Sequence, residues 1–375
     1  MTGTADNNRS TSPAVSDAVQ LWIDDSSSGE APITGAYRKY IFRKIIFVVI
    51  CIGLAFVVSG ISLTQGPYDI GFWETYAIIW DHITGNIDNS IKDYIIWEVR
   101  LPRIVAGLVA GAGLAIAGAT MQSVLKNPLA DPYTTGISSG ALFGATLSIT
   151  MGFTIATGNY GTVINAFVFS LIPMIVIVIV SKMKSSSPTT MIMAGIAVMY
   201  IFNAFTTVMK LWSEPSALSD LYRWQVGTLV NMTWADLPLM TSFVLSGMVI
   251  VQFASRKLNV IAMGDDSAKS LGVNAENLRI ICLVVIALMT ASIVSFTGLI
   301  GFVGLVVPHI VRLFIGSDNR YLIPASMMFG AAFLVMADLI GRAMFPFTLE
   351  VGVITAFIGG PMFLYLIMKR KNYTW

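Results

Sequence analysis

Ten apolar stretches separated by polar connections dominate the chain. They run over about 45–63, 104–125, 137–156, 162–181, 190–211, 237–254, 279–297, 299–315, 322–345 and 351–368. A bilayer core takes about 20 apolar residues per helix. The pattern therefore predicts an all-α polytopic membrane protein with ten transmembrane helices. One division, around Gly298, falls inside a single long apolar run, "TGLIGFVG". Residues 1–37 differ from everything after them. They are rich in Ser, Thr, Asp and Asn and lack a periodic apolar face, which predicts a disordered polar tail ahead of one membrane domain over 38–375. The tail does not read as a signal peptide, because the first apolar run begins only near Ile45 and is too long for a signal core.

Charge distribution tests the crossing count independently. With the N-terminus cytoplasmic, 17 of the 23 Lys and Arg residues fall in cytoplasmic segments and 6 in external ones. The external six are Lys92, Arg100, Arg103, Lys210, Arg223 and Arg342. This asymmetry follows the positive-inside rule. It supports ten crossings, both termini cytoplasmic, in the plasma membrane. Losing or adding one crossing would invert every later segment and spoil the sorting.

Composition narrows the class further. The chain of 375 residues is 55% hydrophobic and only 12% charged, with mean hydropathy +0.74. Ordinary soluble domains carry about 25% charged residues, so a soluble enzyme and a nucleic-acid binder are both excluded. No phosphate-binding G-x-x-x-x-G-K-[ST] loop occurs, nor H-E-x-x-H, C-x-x-C or G-x-S-x-G. The chain therefore lacks the usual machinery to hydrolyse ATP or to run nucleophilic catalysis. Cys51 and Cys282 lie in apolar runs without motif spacing and read as buried hydrophobes. His82 and His309 are too far apart to form a local metal-ligand pair. No metal centre or cofactor is expected.

Three features point to transport. "GLVAGAGLAIAGA" (107–119) places small residues where helix backbones can approach closely, which predicts a dense bundle. Intramembrane ionisable residues, which mark ion pathways, are nearly confined to Asp338 and His309. A proton- or sodium-coupled carrier would have to rely on Asp338, so the energy source is expected on another subunit. The connection 255–278, punctuated by Gly264 and Gly272, reads as a folded docking platform for a cytoplasmic partner. Opposite it, the acidic segment 64–99 leads into "RLPR" (100–103). A weak hint of duplication pairs Gly118 with Gly298 and Pro128 with Pro308, each pair 180 positions apart.

Several long motifs occur in one order. They are "RLPRIVAGLVAGAGLAIAGATMQSVLKNPLADPYTTGISSGA" (100–141), "IMAGIAVM" (192–199), "GDDSAKSLGV" (264–273), "TGLIGFVGLVVPHIVRLFIGSDNRYLIPAS" (297–326) and "GVITAFIGGPMFLYLI" (352–367). Together they resemble the FecCD family of ABC-transporter permeases, which import iron–siderophore, haem and cobalamin, over about residues 40–370. The resemblance implies a ten-helix permease bundle of the type II ABC importer kind, acting as a homodimer. It also implies two cytoplasmic ATP-binding subunits beneath and an extracytoplasmic substrate-binding protein outside. It places Gly264, Ala268, Leu271 and Gly272 at the ATPase-coupling positions, with Asp265–Asp266 where the family usually has glutamate. It places Arg100, Arg103 and Arg342 where arginines of the family's cobalamin importer meet glutamates of its binding protein. The cytoplasmic gate is similar to "NPLADP" (127–132) and "SSSPTT" (185–190), which gives Asn127, Leu129, Ser187 and Thr189 as gate candidates. The function implied is ATP-driven import of a metal chelate, a ferric siderophore, haem or a corrinoid, with no catalytic residue in this chain.

Overall fold

The computed structural model describes residues 32–368 apart from 159, 184–186 and 346. Residues 1–31 of the expected tail lie outside the described residues, and the chain is helical from Pro32. The chain divides into a short unit ending at Ile46 and a main unit from Phe47 onward. Every regular element described is helical.

The first helix, α1 (Pro32–Thr64), is followed by α2 (Phe72–Thr84) and α3 (Ser90–Tyr94). A π-helical turn (Ile95–Arg100) joins α3 to α4 (Leu101–Val124). After a 3-10 turn (Pro132–Thr135) come α5 (Ile137–Met151), α6 (Gly161–Met183), α7 (Pro188–Leu211) and α8 (Pro215–Val226). The chain continues through α9 (Leu237–Ala262), α10 (Asp265–Ser270) and α11 (Ala275–Thr297). It closes with α12 (Val303–Ile315), α13 (Asn319–Ala343) and α14 (Val351–Met368).

Among the described residues, seven helices are long and apolar enough to cross a membrane: α1, the run Ser90–Val124, α6, α7, α9, α11 and α13. The other three predicted stretches form the shorter apolar helices α5, α12 and α14. Helix α5 stops short of the predicted residue 156 because Gly152 takes a left-handed conformation, φ 66°, and Phe153 N–H closes onto the Leu147 carbonyl. That geometry terminates a helix. Helices α2, α3 and α8 lie in connections that hydropathy alone leaves unassigned. Their starts are nonetheless specified locally. Glu74 reaches back to the Gly71 amide, the Asn89 side chain accepts from the amides of Ile91 and Lys92, and α8 has Pro215 in its first turn. Each satisfies or removes orphan donors.

Helix α4 is the axis of the bundle. It packs against α9, α11, α12 and α13, and its Ala106, Ala110, Ala115, Ile116 and Ala117 are fully buried. The small-residue stripe explains how four neighbours fit. A Cβ on Gly111 would lie 2.3 Å from the Gly330 carbonyl oxygen, and one on Gly118 only 1.8 Å from that of Gly304. Both glycines therefore set backbone-to-backbone contacts, as the sequence predicts. Gly118→Ala is expected to destabilise the protein by about 1–3 kcal/mol through overpacking, read as a lower thermal midpoint in detergent. Gly53→Ala on α1 is the control. Nothing lies within 4 Å of its added Cβ, and alanine is the better helix former, so the midpoint should hold or rise.

The apolar run divided at Gly298 does break there. Gly298 has φ 69° and Phe302 φ 68°, both left-handed. Non-helical backbone surrounded by apolar helices needs protein partners. Ile300 N–H donates to the Tyr133 hydroxyl at 3.1 Å, and the Thr297 carbonyl accepts from Thr228 N–H at 2.7 Å. The spacing of 180 residues has no counterpart in local structure: Gly118 is mid-helix and Gly298 caps a helix end. Pro128 lies in a loop, whereas Pro308 lies inside α12.

Candidate functional site

Polar side chains gather at the two ends of the bundle. One end holds the C-terminus of α4, the N-termini of α11 and α13, and the short helix α10. The four predicted coupling residues bracket or build α10. Gly264 (φ 125°) opens it and Gly272 (φ 73°) follows it, both with backbone angles that suit glycine. Ala268 is fully buried and anchors the helix inward, while Leu271 is 62% exposed and faces out. The segment thus forms a short helix bracketed by two glycines of positive φ, with Ala268 turned inward and Leu271 exposed.

The structure adds a clasp that sequence reading does not assign. The Asp265 carboxylate, at the start of α10, accepts from Arg279 of α11 at 2.5 Å and from Lys126 at 2.8 Å. Arg279 is buried and also donates to the Val124 carbonyl at the end of α4. The Arg279 hydrogen bond, helped by Lys126, holds Asp265 down to about 2 despite partial desolvation. The carboxylate is therefore ionised throughout the physiological range, and the clasp weakens only as pH falls toward that value. Lys126 itself has φ 50°. It occupies the left-handed position after α4, with Asn127 N–H closing onto the Gln122 carbonyl. Glycine is the usual occupant of such a cap. Lysine there was the sequence signal for a side chain with a task.

Immediately after Lys126 comes the predicted gate segment. Asn127 accepts from the Leu129 amide at 3.0 Å, and Leu129 is 44% exposed. Burial pushes the Asp131 carboxyl up to about 6, against the opposing hydrogen bond from the Tyr133 amide. The second gate segment begins outside the described residues, at 185–186. Its Ser187 caps α7 by accepting from Thr190 N–H at 3.2 Å, and Thr189 is exposed. The 3-10 turn after the first segment packs on α7, where Gly195 lets Thr135 approach. A second polar tie secures the same end of the bundle. Asn259 of α9 donates to Asp318 at 2.7 Å and accepts from Asn319 N–H at 2.8 Å, and Ser123 of α4 donates to the Asn319 side chain at 2.8 Å.

At the opposite end the three predicted docking arginines come together, but each already has partners within the chain. Arg100 is 6% exposed and donates to the carbonyls of Leu63 at 2.5 Å and Tyr68 at 2.7 Å. Arg103 holds Asp338 through two nitrogens, at 2.6 and 3.1 Å. Arg342 takes the other Asp338 oxygen at 3.0 Å and also reaches Ser62 and the Gln65 carbonyl. Asp338 is 3% exposed. The carboxylate that a proton-coupled carrier would need is thus enclosed by two guanidinium groups and ties α4 to α13, while Arg342 reaches α1 through Ser62. Beside α8 a cavity of about 510 Å³ is lined by charged and polar groups that include Asp220, Arg223, Asn231 and Glu350.

Comparison with known proteins places this arrangement. A family model described as the FecCD transport family matches residues 45–369. The chain is 39% identical to a cobalamin import system permease protein of Halobacterium salinarum, over 74% of each chain. It is 33% identical to an Fe(3+)-citrate import system permease protein of Bacillus subtilis, covering 90% of this chain and 98% of the relative. Its fold is similar to a solved structure described as an inward-facing conformation of a metal-chelate type ABC transporter. That match has TM-score 0.76 and 27% identity, covering 86% of this chain and 99% of the other.

Proposed function

The chain belongs to the FecCD transport family, and from that premise we propose that it forms one half of the membrane pathway of a metal-chelate importer. It is a multi-pass transport subunit of an ATP-binding-cassette system, and ATP is hydrolysed by separate ATP-binding partners. The cargo class proposed is a ferric siderophore, haem or a corrinoid, in keeping with the iron-citrate and cobalamin named for the relatives. The α5, α12 and α14 segments join the seven long helices to make ten crossings. Both termini and the 255–278 platform are cytoplasmic, as the sorting of basic residues supports. A second copy completes the pathway.

The observation that carries this reading is the clasp of Asp265 on Lys126. It joins the helix proposed to meet the ATP-binding subunit, through Gly264, Ala268, Leu271 and Gly272, directly to the residue before the gate segment. A movement of α10 therefore reaches Asn127 and Leu129 through a charged contact of 2.8 Å. Ser187 and Thr189 provide the facing gate. On the external side Arg100, Arg103 and Arg342 outnumber Asp338 within their own cluster, a local basic spot set among otherwise acidic connections. A carboxylate-bearing binding protein suits such a surface, since arginine binds carboxylates with directional, bidentate geometry.

Affinity capture tests this. The detergent-solubilised permease is used to capture the cognate binding protein, whose bound small molecule is then identified by mass spectrometry and metal analysis. The expected result is capture of a binding protein carrying a metal chelate, with capture reduced in Arg103→Gln. A captured protein carrying a metal-free sugar or amino acid would overturn the cargo assignment.

A further inference from the structure

Helix α2 is divided lengthwise into three stripes of different chemistry. The first is packed. Phe72, Thr75, Tyr76, Ile79 and His82 follow the 3.6-residue period and face the protein. Tyr76 stacks on Phe56 of α1 at 5.8 Å, with Phe72 edge-on to it at 5.3 Å. A Cβ on Gly60 would meet the Tyr76 hydroxyl at 2.4 Å, so α2 lies directly against α1 there. His82 pairs with Asp93 at 2.8 Å and stacks on Trp97 at 3.9 Å, which fixes the far end of the helix. The second stripe is Trp73 and Trp80, seven residues apart. They are 81% and 66% exposed. The third is Glu74 and Asp81, one residue further along in each case and hence about 100° around the helix.

The depth of this helix follows from its seat on α1. Gly60 is four residues before the end of α1 at Thr64, a rise of about 6 Å. The neighbouring α1 residues Phe56, Val57 and Ile61 are 63%, 50% and 40% exposed. In a membrane-spanning helix these residues form a lipid-facing surface. Packed against the outer end of α1, α2 thus holds its two exposed tryptophans near the level where the hydrocarbon ends. Tryptophan is enriched at that level, where its ring is half-apolar and its N–H can be hydrated. The acidic stripe turned away from it suits water and offers nothing to anionic headgroups.

We propose that α2 is an interfacial helix, with Trp73 and Trp80 seated in the outer-leaflet headgroup region and Glu74 and Asp81 in water. Membrane-parallel amphipathic helices bind in this way through aromatic and apolar burial. The proposal concerns the partner of one surface and does not depend on the cargo or the gate.

Site-directed spin labelling in lipid nanodiscs tests it with the full chain. Single cysteines replace Trp73, Trp80 or Asp81, and the native Cys51 and Cys282 are buried and serve as the unlabelled background. Accessibility to oxygen and to a water-soluble nickel chelate is then compared. Labels at 73 and 80 are expected to favour oxygen, and the label at 81 to favour the nickel chelate. Three results would overturn the proposal. One is preference for the nickel chelate at both 73 and 80. Another is dipolar broadening between labels on two copies, which would make the occupant a second copy of this chain. The third is protection that arises only when the binding protein is added. Should a label perturb folding, Trp73→Phe combined with Trp80→Phe gives a second readout. Quenching of the remaining tryptophan fluorescence by lipids brominated near the headgroup should fall relative to the unmutated protein. Unchanged quenching would count against the interfacial seat.

Discussion

Replacing Asp265 with alanine is expected to lower ATP-driven uptake about tenfold or more while the assembled transporter continues to hydrolyse ATP. Two charge-assisted hydrogen bonds are lost, and such bonds are worth about 1.5–3 kcal/mol each where they are shielded. Asp265 is itself half-exposed, so only part of that is available, and about 1.4 kcal/mol already equals a factor of ten. The loss should appear in the ratio of cargo moved to ATP hydrolysed. Lys126→Gly separates coupling from folding. Glycine is the better residue at the left-handed end of α4, so the thermal midpoint should hold or rise. The Lys126–Asp265 contact is gone, so the same ratio should fall. A Lys126→Gly transporter with normal coupling would remove the clasp from the transmission path.

The second large effect is expected at the opposite end. Asp338→Ala leaves Arg103 and Arg342, each 13% exposed, without their shared counter-charge. Breaking a buried ion pair by removing one partner costs about 3–5 kcal/mol, because the remaining charge is uncompensated. A marked fall in the thermal midpoint or in the folded yield is therefore expected. Asp338→Asn, which keeps acceptor geometry but not charge, should fall between the two. If uptake by a folded Asp338→Asn protein became insensitive to an imposed proton gradient while ATP-driven uptake stopped, the carboxylate would be a proton carrier and not a tie.

Much of this architecture was legible in the chain because hydropathy reports burial in lipid directly. The ten apolar stretches coincide with ten helices, and the Gly-rich stripe of α4 marks the most deeply buried of the long helices. The failures have physical causes. Helices α2 and α8 are amphipathic and partly charged, so a membrane-span criterion passes over them. Their capping residues, Glu74 and Pro215, were the readable signal. The intrachain partners of the arginines were only half legible. Arg342 lies one helical turn after Asp338, a pairing local sequence can encode, but Arg100 and Arg103 of "RLPR" find the carbonyls of Leu63 and Tyr68 and a carboxylate 235 residues away, contacts that no local pattern encodes. The Asp265–Lys126 clasp spans 139 residues. It left only one trace in the sequence, a lysine where a helix end ordinarily takes glycine.

The dependence of transport on an outside ATPase is tested most directly by reconstitution. The chain is placed in proteoliposomes alone, with its ATP-binding subunit, and with both that subunit and the binding protein loaded with its chelate. Uptake is expected only in the last case and only with ATP on the side of the 255–278 platform. Chelate uptake by the chain alone, driven by a proton or sodium gradient without ATP, would contradict it.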